Sequence, residues 1–195
     1  MSDKPMRPYP GDGARSSAQA FGIKTDMKFK VYEDNPILRT GREGQWDAGA
    51  LGTMSVLKVD GVFHMYYEAW GERSGIDWVE EEYYSLQIGH ATSPDGIHWA
   101  KDPANPVLRS GTEGEWDHHG TWDPFVLHED GLFKMWHGGG ANDYCDWAYA
   151  TSEDGTTFTK HGKISAVGNV EDIHIVPLCQ NSCHLFLMNL HGYSP

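Results

Sequence analysis

The sequence has few cations for its length. Its 195 residues include 15 Lys and Arg against 28 Asp and Glu, a formal net charge of −13 at pH 7. Nucleic acids and anionic membrane surfaces are bound through clustered cations that neutralise phosphate groups. Because this acidic chain has no Lys/Arg cluster, we expect neither a nucleic-acid partner nor a membrane partner.

Long apolar runs are also missing. No stretch approaches the roughly 18 apolar residues that a membrane span needs, and the polar residues 1–24 do not resemble a signal peptide. We therefore expect a cytoplasmic protein. Its organisation is predicted to be a polar, poorly ordered segment at 1–26 followed by one folded domain at 27–195.

Cysteine is scarce. The three residues Cys145, Cys179 and Cys183 are too few, and odd in number, for a disulfide framework. A metal clip at Cys179 and Cys183 would need two further ligands of suitable geometry. Two thiols on either side of a hairpin turn are the simpler interpretation.

What the sequence does contain is an internal repeat, which decides the class of fold. The matching segments are 35–47 with 105–117, 56–66 with 126–136, and 91–99 with 150–158. Nine of the thirteen positions in the first pair are identical, where average composition would give about one. The offset falls from 70 to 59 residues, so eleven residues are inserted between Tyr67 and Ile88 of the first copy.

Each copy predicts four antiparallel strands, because short apolar runs are separated by Asp-Gly pairs, a strong hairpin signal. The predicted strands are Ser55–Val59, Val62–Tyr67, Leu86–Thr92 and one through Trp99 in the first copy; Pro124–Glu129, Leu132–His137, Trp147–Thr151 and one through Phe158 in the second; and Ile173–Leu178 and His184–Asn189 in a partial third. Four antiparallel strands in a repeating unit are typical of a propeller blade.

The predicted fold class is therefore all-β, a β-propeller of which about two and a half blades of an expected five are present. Residues 28–32 align with the outermost strand of a further blade. Closing a ring takes more blades than 195 residues can supply, so we expect this chain to be the N-terminal part of a longer protein. The missing C-terminal blades would complete it.

The two ends of such a blade differ in what they offer. The Asp-Gly turns share one end, so a ligand is expected at the opposite end, at the start of the innermost strands. The pairs Trp46-Asp47 and Trp116-Asp117 occur in both copies and are interpreted as structural. The two copies differ in sequence where residues 48–54 align with residues 118–124. The second copy gains candidate ligand-binding side chains there: His118, His119, Trp122 and Asp123.

The third copy supplies three more candidates, Glu171, Asp172 and His174, beside or within its first strand. Alternation along a strand puts Asp172 and His174 on one face and Glu171 on the other. The residues alone do not choose among them.

These motifs resemble a known superfamily. The pattern Asn-Pro-Val-Leu, Gly-x-x-Trp-Asp, Asp-Gly-x-Phe-x-Met and Ala-Thr-Ser-x-Asp-Gly-x-x-Trp, spread over 29–189, is similar to the five-bladed β-propeller glycosidases around glycoside hydrolase families 32, 43, 68 and 117. The resemblance implies an axial funnel in which acid/base carboxylates cleave the glycosidic bonds of an oligo- or polysaccharide. It also implies that this chain alone, lacking blades, would be inactive.

The resemblance also implies roles for particular residues. Asp123-Pro124 matches the second acidic position of family 43, and Glu171 or Asp172 matches the general acid. His174 would suit a relative of family 117. The first acidic position is occupied by Thr53, which departs from the family 43 pattern, and Asp47 is the nearest substitute.

Further side chains are expected to contact the sugar from the ligand end: His137, Glu68, and Trp78 in the inserted loop. No cofactor is predicted, although the converging histidines would allow a bound cation such as calcium. Two alternatives to a hydrolase remain. A carbohydrate-binding propeller would keep the aromatic residues without an acid/base pair, and a phosphorylase relative would need a cationic pocket for phosphate.

Overall fold

The computed structural model describes residues 31–71, 86–140 and 146–164 with their side chains, and the backbone of two further strands at 172–179 and 182–188. The chain divides into two compact units, Met1–Asn35 and Pro36–Pro195. In the first, the side-chain amide of Asn35 donates a hydrogen bond to the carbonyl of Tyr32 at 3.0 Å. Val31 and Tyr32 do not form a strand; the remainder of the strand predicted at 28–32, and the polar segment 1–26, lie outside the described residues.

The described part of the second unit contains ten strands. They are β1 (Ala50–Val59), β2 (Val62–Trp70), β3 (Gln87–Ser93), β4 (Ala100–Lys101), β5 (Gly120–Glu129), β6 (Leu132–Gly140), β7 (Asp146–Ser152), β8 (Thr159–Lys163), β9 (Asp172–Cys179) and β10 (Ser182–Met188). The described part of the chain contains no helix, and hence none that could cross a membrane.

The sheet topology confirms the predicted class of fold. Strands β1 to β4 form one four-stranded antiparallel sheet in sequential order, and β5 to β8 form a second. Strands β9 and β10 pair as an antiparallel hairpin. The chain is thus an all-β partial propeller with two complete blades, blade 1 and blade 2, and part of a third.

Asp-Gly pairs close the first hairpin of each blade, as predicted. Asp60 and Gly61 have φ angles of 48° and 87°, and Asp130 and Gly131 have φ angles of 55° and 75°. Two consecutive positive φ angles define the tight turn whose twist matches that of paired strands. Asp and Gly tolerate this conformation well, which is why the pair fixes the turn.

The strands are longer than predicted at the opposite end. Strand β1 begins five residues before the predicted Ser55, and β5 begins four residues before the predicted Pro124. Their partners β2 and β6 extend to Trp70 and Gly140. Residues at this end that the sequence places in loops therefore lie on hydrogen-bonded strands, which hold side chains more rigidly.

Blades 1 and 2 pack through a shared apolar core. Its centre is Tyr66, which is fully buried and whose hydroxyl donates a 2.9 Å hydrogen bond to the carbonyl of Gly155 in blade 2. Phe133 and Phe158 lie edge-on to the Tyr66 ring, at centroid distances of 6.3 and 5.7 Å. Burial is the main cause that raises the pKa of Tyr66 above its usual value. This core fixes the first strands of the two blades next to each other.

An ion pair with a buried aspartate closes each complete blade. Asp47 and Asp117 are each 2% exposed, and their carboxylates accept hydrogen bonds from Lys101 in β4 and Lys160 in β8. The pair ties the loop before the innermost strand to the outermost strand. Because the arrangement is repeated, it agrees with the structural interpretation of the shared Trp-Asp motif.

We therefore expect Asp117→Asn to lower the free energy of unfolding by about 1 to 3 kcal/mol, because a hydrogen bond between charged groups becomes a weaker neutral one. Urea denaturation measures the change. Asp130→Asn is the matched control, since its exposed left-handed turn position accepts Asn equally well. Equal stability of both variants would contradict the structural role of Asp117.

Candidate functional site

The innermost strand of each blade carries a one-residue β-bulge near its start. In β1 the register with β2 shifts between Leu51 and Met54, and in β5 the register with β6 shifts between Trp122 and Phe125. A bulge bends the strand and re-aims the side chains within it. Both bulges lie at the end of the blades opposite the Asp-Gly turns.

Asp123 occupies the bulge of blade 2 in an unusual backbone conformation. Its φ angle is 46°, and among the described non-glycine residues a positive φ otherwise occurs only in the two Asp-Gly turns. Holding such a residue outside a turn costs on the order of 1 to 3 kcal/mol, and strain of this kind clusters at functional sites. The half-buried Asp123 is therefore the most distinctive residue at this end of the blades.

Two hydrogen-bond contacts join Asp123 to blade 1, and a third connects their two partners within blade 1. The backbone N–H of Asp123 donates to Glu68 Oε2 at 2.9 Å. The hydroxyl oxygen of Thr53 lies 2.8 Å from Glu68 Oε2 and 2.8 Å from Asp123 Oδ1. We call Thr53, Glu68 and Asp123 the bulge trio. Thr53 is exposed and the two carboxylates are half-buried, so the trio is open to solvent and to a ligand.

In each blade, one glycine near the trio lies beneath a large side chain on the neighbouring strand, and the two blades place the glycine on opposite strands. In blade 1, Glu68 lies directly over Gly52, whose added Cβ would come within 2.6 Å of Glu68 Cδ. In blade 2 the large residue is on the other strand: Trp122 covers Gly138, whose added Cβ would come within 2.6 Å of Trp122 Cδ1. With Glu68 and Trp122 in these positions, neither Gly52 nor Gly138 has room for a Cβ, and the exchange brings a carboxylate and an indole to the same end of the blades.

The two candidate histidines before β5 contact each other. The rings of His118 and His119 have centroids 4.1 Å apart at 67°. His118 Nδ1 lies 2.7 Å from the carbonyl of Glu115, and the backbone N–H of His119 donates to the carbonyl of Gly140 at 3.1 Å. These contacts fix the loop to the end of β6, on the same side of the blade as Asp123.

His137 is fully buried instead of lining the surface. Its ring centroid lies 6.1 Å from that of Trp116, and its Nδ1 is 3.0 Å from the carbonyl of Gly138. Its Nε2 has no hydrogen-bond partner in the described part of the chain. Burial lowers the pKa of His137 to about 4, so the folded protein holds this imidazole neutral at pH 7.

The remaining candidates divide into two groups. Asp47 is buried and engaged by Lys101, and its charge contributes to a raised pKa of the buried Tyr67 hydroxyl. Glu171 and Trp78 lie outside the described residues, and Asp172 and His174 are described only as backbone in β9. Strand β9 approaches β5, the strand that carries Asp123.

No group of three or more metal-ligating side chains occurs among the residues described with side chains. The bulge trio offers two carboxylates and a hydroxyl, a set that accepts hydrogen bonds from sugar hydroxyls. The prediction that no cofactor is needed stays a prediction.

Sequence reasoning missed how the trio is assembled. Thr53 stood out only as a missing carboxylate, and Gly52 and Gly138 were not singled out. Their available signal was a glycine within a strand, which often marks a bulge or a close approach. Glu68 was selected for its position at the ligand end, and the structure shows it bonded to Asp123.

Solved structures of glycoside hydrolases share this fold. A solved structure of a family 117 glycoside hydrolase from the marine bacterium Zobellia galactanivorans matches 80% of this chain and 44% of its own, with a TM-score of 0.65 and 18% identity. A structure from glycoside hydrolase family 130, a family of mannoside phosphorylases that contains hydrolases targeting β-1,2 mannosidic linkages in Candida mannan, matches 67% of this chain and 38% of its own, with a TM-score of 0.55 and 24% identity. The predicted resemblance to propeller-type glycoside hydrolases is confirmed.

The sequence has a relative with a named activity. A 1,2-β-oligomannan phosphorylase of Thermoanaerobacter sp. (strain X514) is 28% identical over 120 residues, which are 62% of this chain and 38% of the relative. The chain thus spans less than half the length of that protein. No protein-family model matches the chain.

The contact between Gly52 and Glu68 predicts that Gly52→Ala displaces the Glu68 side chain from Thr53 and Asp123, because the new methyl group needs the same space. A crystal structure of the variant would show Glu68 in another rotamer. Gly71→Ala is the control, since the nearest atom to its added Cβ is 3.6 Å away. An unmoved Glu68 in Gly52→Ala would disprove the packing argument.

The buried His137 predicts an acid sensitivity. The unfolded chain gains a proton near pH 6.5, whereas the folded protein gains it only near pH 4, so this residue lowers stability as the pH falls through that window. Urea midpoints at pH 7.5 and pH 5 should differ less in His137→Gln than in the wild type. The buried His90, whose pKa burial also lowers, leaves the variant a residual pH dependence. An identical fall in both proteins would show that His137 is not responsible.

Proposed function

We propose that this chain forms part of a β-propeller enzyme acting on glycosides, with Asp123 as a catalytic carboxyl group. The observation that carries the proposal is the strained backbone of Asp123 at the ligand end of blade 2, held by Glu68 and Thr53. Strain that the surroundings must hold in place is expected where a side chain has to be aimed at a substrate. The aligned residue of blade 1 is Thr53, so the fold itself does not require a carboxylate at this position.

Glu68 is assigned an orienting role. Its carboxylate oxygen and that of Asp123 each lie 2.8 Å from the same hydroxyl, so the two oxygens are no further apart than twice that distance. Both oxygens therefore lie close together and contact the same hydroxyl group. The two carboxylates of a glycosidase must instead flank the scissile bond.

The second catalytic group is therefore proposed to come from the third blade. Glu171, Asp172 and His174 remain the candidates, and support comes from the approach of β9 to β5. A carboxylic acid would supply the pair that hydrolysis needs. The five-bladed ring, the cytoplasmic location and a reaction without a cofactor belong to the same proposal.

The proposed substrate class is β-1,2-linked mannosides. The relative from Thermoanaerobacter and the family 130 structure are both described by that linkage. Trp122, half-buried above Gly138, offers an indole face of the kind that stacks on sugar C–H groups. We assign His118 and His119 to sugar hydroxyls, and His137 and Asp47 to the scaffold because they are buried.

Phosphorolysis is the second candidate reaction, because the relative from Thermoanaerobacter is a phosphorylase. The two reactions differ in the nucleophile and hence in the product. Incubating the full-length protein with β-1,2-mannooligosaccharides, with and without inorganic phosphate, separates them. Hydrolysis yields mannose in both cases, whereas phosphorolysis yields mannose 1-phosphate and requires phosphate.

The catalytic assignment predicts that Asp123→Asn lowers turnover by about a hundredfold or more, as expected when an acid/base group is lost. Asn tolerates positive φ, so the thermal midpoint should barely change. Asp117→Asn should show the opposite pattern, with lower stability and retained turnover below its midpoint. If Asp123→Asn stays fully active and unfolds earlier, Asp123 is a scaffold residue and a binding propeller becomes the better interpretation.

A further inference from the structure

The hydroxyl of Thr53 links two carboxylates across the interface between blades. Its oxygen is 2.8 Å from Glu68 Oε2 and 2.8 Å from Asp123 Oδ1, while Glu68 Oε2 also accepts the backbone N–H of Asp123 at 2.9 Å. Thr53 is itself exposed at the bulge of β1. The hydroxyl thus reaches the carboxyl group of Asp123, and Glu68 reaches its backbone.

A threonine hydroxyl has one hydrogen and two lone pairs. It can donate to only one of the two carboxylates at a time, and a contact with the other is favourable when that carboxyl carries its own hydrogen. The hydroxyl rotates to suit its partners. With Asp123 ionised it can donate to Asp123 Oδ1; with a proton on Asp123 Oδ1 it can accept that proton's hydrogen bond and donate to Glu68 instead.

We propose that Thr53 is a positioning residue whose rotating hydroxyl holds the Asp123 carboxyl in one place in both its ionised and its protonated form. An acid/base group passes through both forms in each catalytic cycle. A fixed donor, such as a backbone N–H, would favour only the ionised form. The inference rests on the proposed catalytic role of Asp123.

The same contacts explain why blade 1 has threonine where a carboxylate is expected. A carboxylate at position 53 would be a third negative group against Glu68 and Asp123, with no hydrogen to donate to either. Threonine has a β-branched side chain, which suits a strand, and its hydroxyl provides a hydrogen-bond donor.

The test compares Thr53→Val and Thr53→Ser in the full-length protein. Valine keeps the shape of the side chain and removes the hydroxyl, so kcat should fall by about ten- to a hundredfold, the cost of a misplaced catalytic group. KM should change less than threefold, because substrate binding does not require the Asp123 carboxyl to be held in both forms. Serine restores the hydroxyl and should recover most of kcat.

Thr151→Val is the matched control, because it removes an exposed hydroxyl 2.7 Å from His161 Nε2 near the opposite end of blade 2. It should leave both constants unchanged. Unchanged kcat in Thr53→Val, or equal losses in the valine and serine variants, would overturn the inference.

The two failures are distinguishable. If Asp123→Asn abolishes turnover while Thr53→Val does not affect it, the proposed function stands and the role of Thr53 is wrong. If Asp123→Asn itself retains turnover, the proposed function fails first.

Discussion

The single extra residue in the innermost strand of each blade is the constraint on which the site depends. Both bulges lie near the start of the innermost strand, and the bulge of β5 falls one residue later than the position equivalent to the bulge of β1, so a bulge in this part of the strand recurs in both copies of the repeat. The bulge in β5 holds Asp123 at a positive φ and directs its N–H to Glu68. Without that extra residue, side-chain alternation along β5 would be shifted by one, and every residue before the bulge would face the other side of the sheet.

Packing at the bulge then decides which chemistry each blade can offer. In each facing pair the large side chain fills the space that a Cβ on its partner would need: Glu68 lies over Gly52 in blade 1, and Trp122 lies over Gly138 in blade 2. The repeat thereby presents an acid from its second strand in one blade and an aromatic ring from its first strand in the next. The two copies of the repeat therefore contribute different side chains to the site, because the glycine and the large residue have exchanged strands.

Much of the fold could be predicted from the sequence because its determinants are local. Asp-Gly pairs fix the hairpins within two residues, and the spacing of apolar runs identifies the strands between them. The contact between Glu68 and Asp123 could not be predicted, because it joins residues 55 positions apart. It depends on a bulge that breaks the period-2 alternation on which strand prediction relies. The strand starts were missed for a related reason: residues 50–54, which include Gly52 and Thr53, lack a strand-like pattern.

Comparison of the two blades separates what maintains the fold from what differs at the site. The pairs Asp47–Lys101 and Asp117–Lys160 are equivalent and repeated, with the aspartate buried in each, which is expected of interactions that every blade needs. Thr53 and Asp123 also occupy equivalent positions of the two blades, yet their side chains differ in chemistry. They form a hydrogen bond with each other across the blade interface. A scaffold interaction within one blade can be copied unchanged. A contact between two copies of the same position cannot use two ionised carboxylates at hydrogen-bond distance, because they would repel, so one copy had to become a donor. The asymmetry of the site is therefore a physical consequence of bringing equivalent positions of two blades into contact.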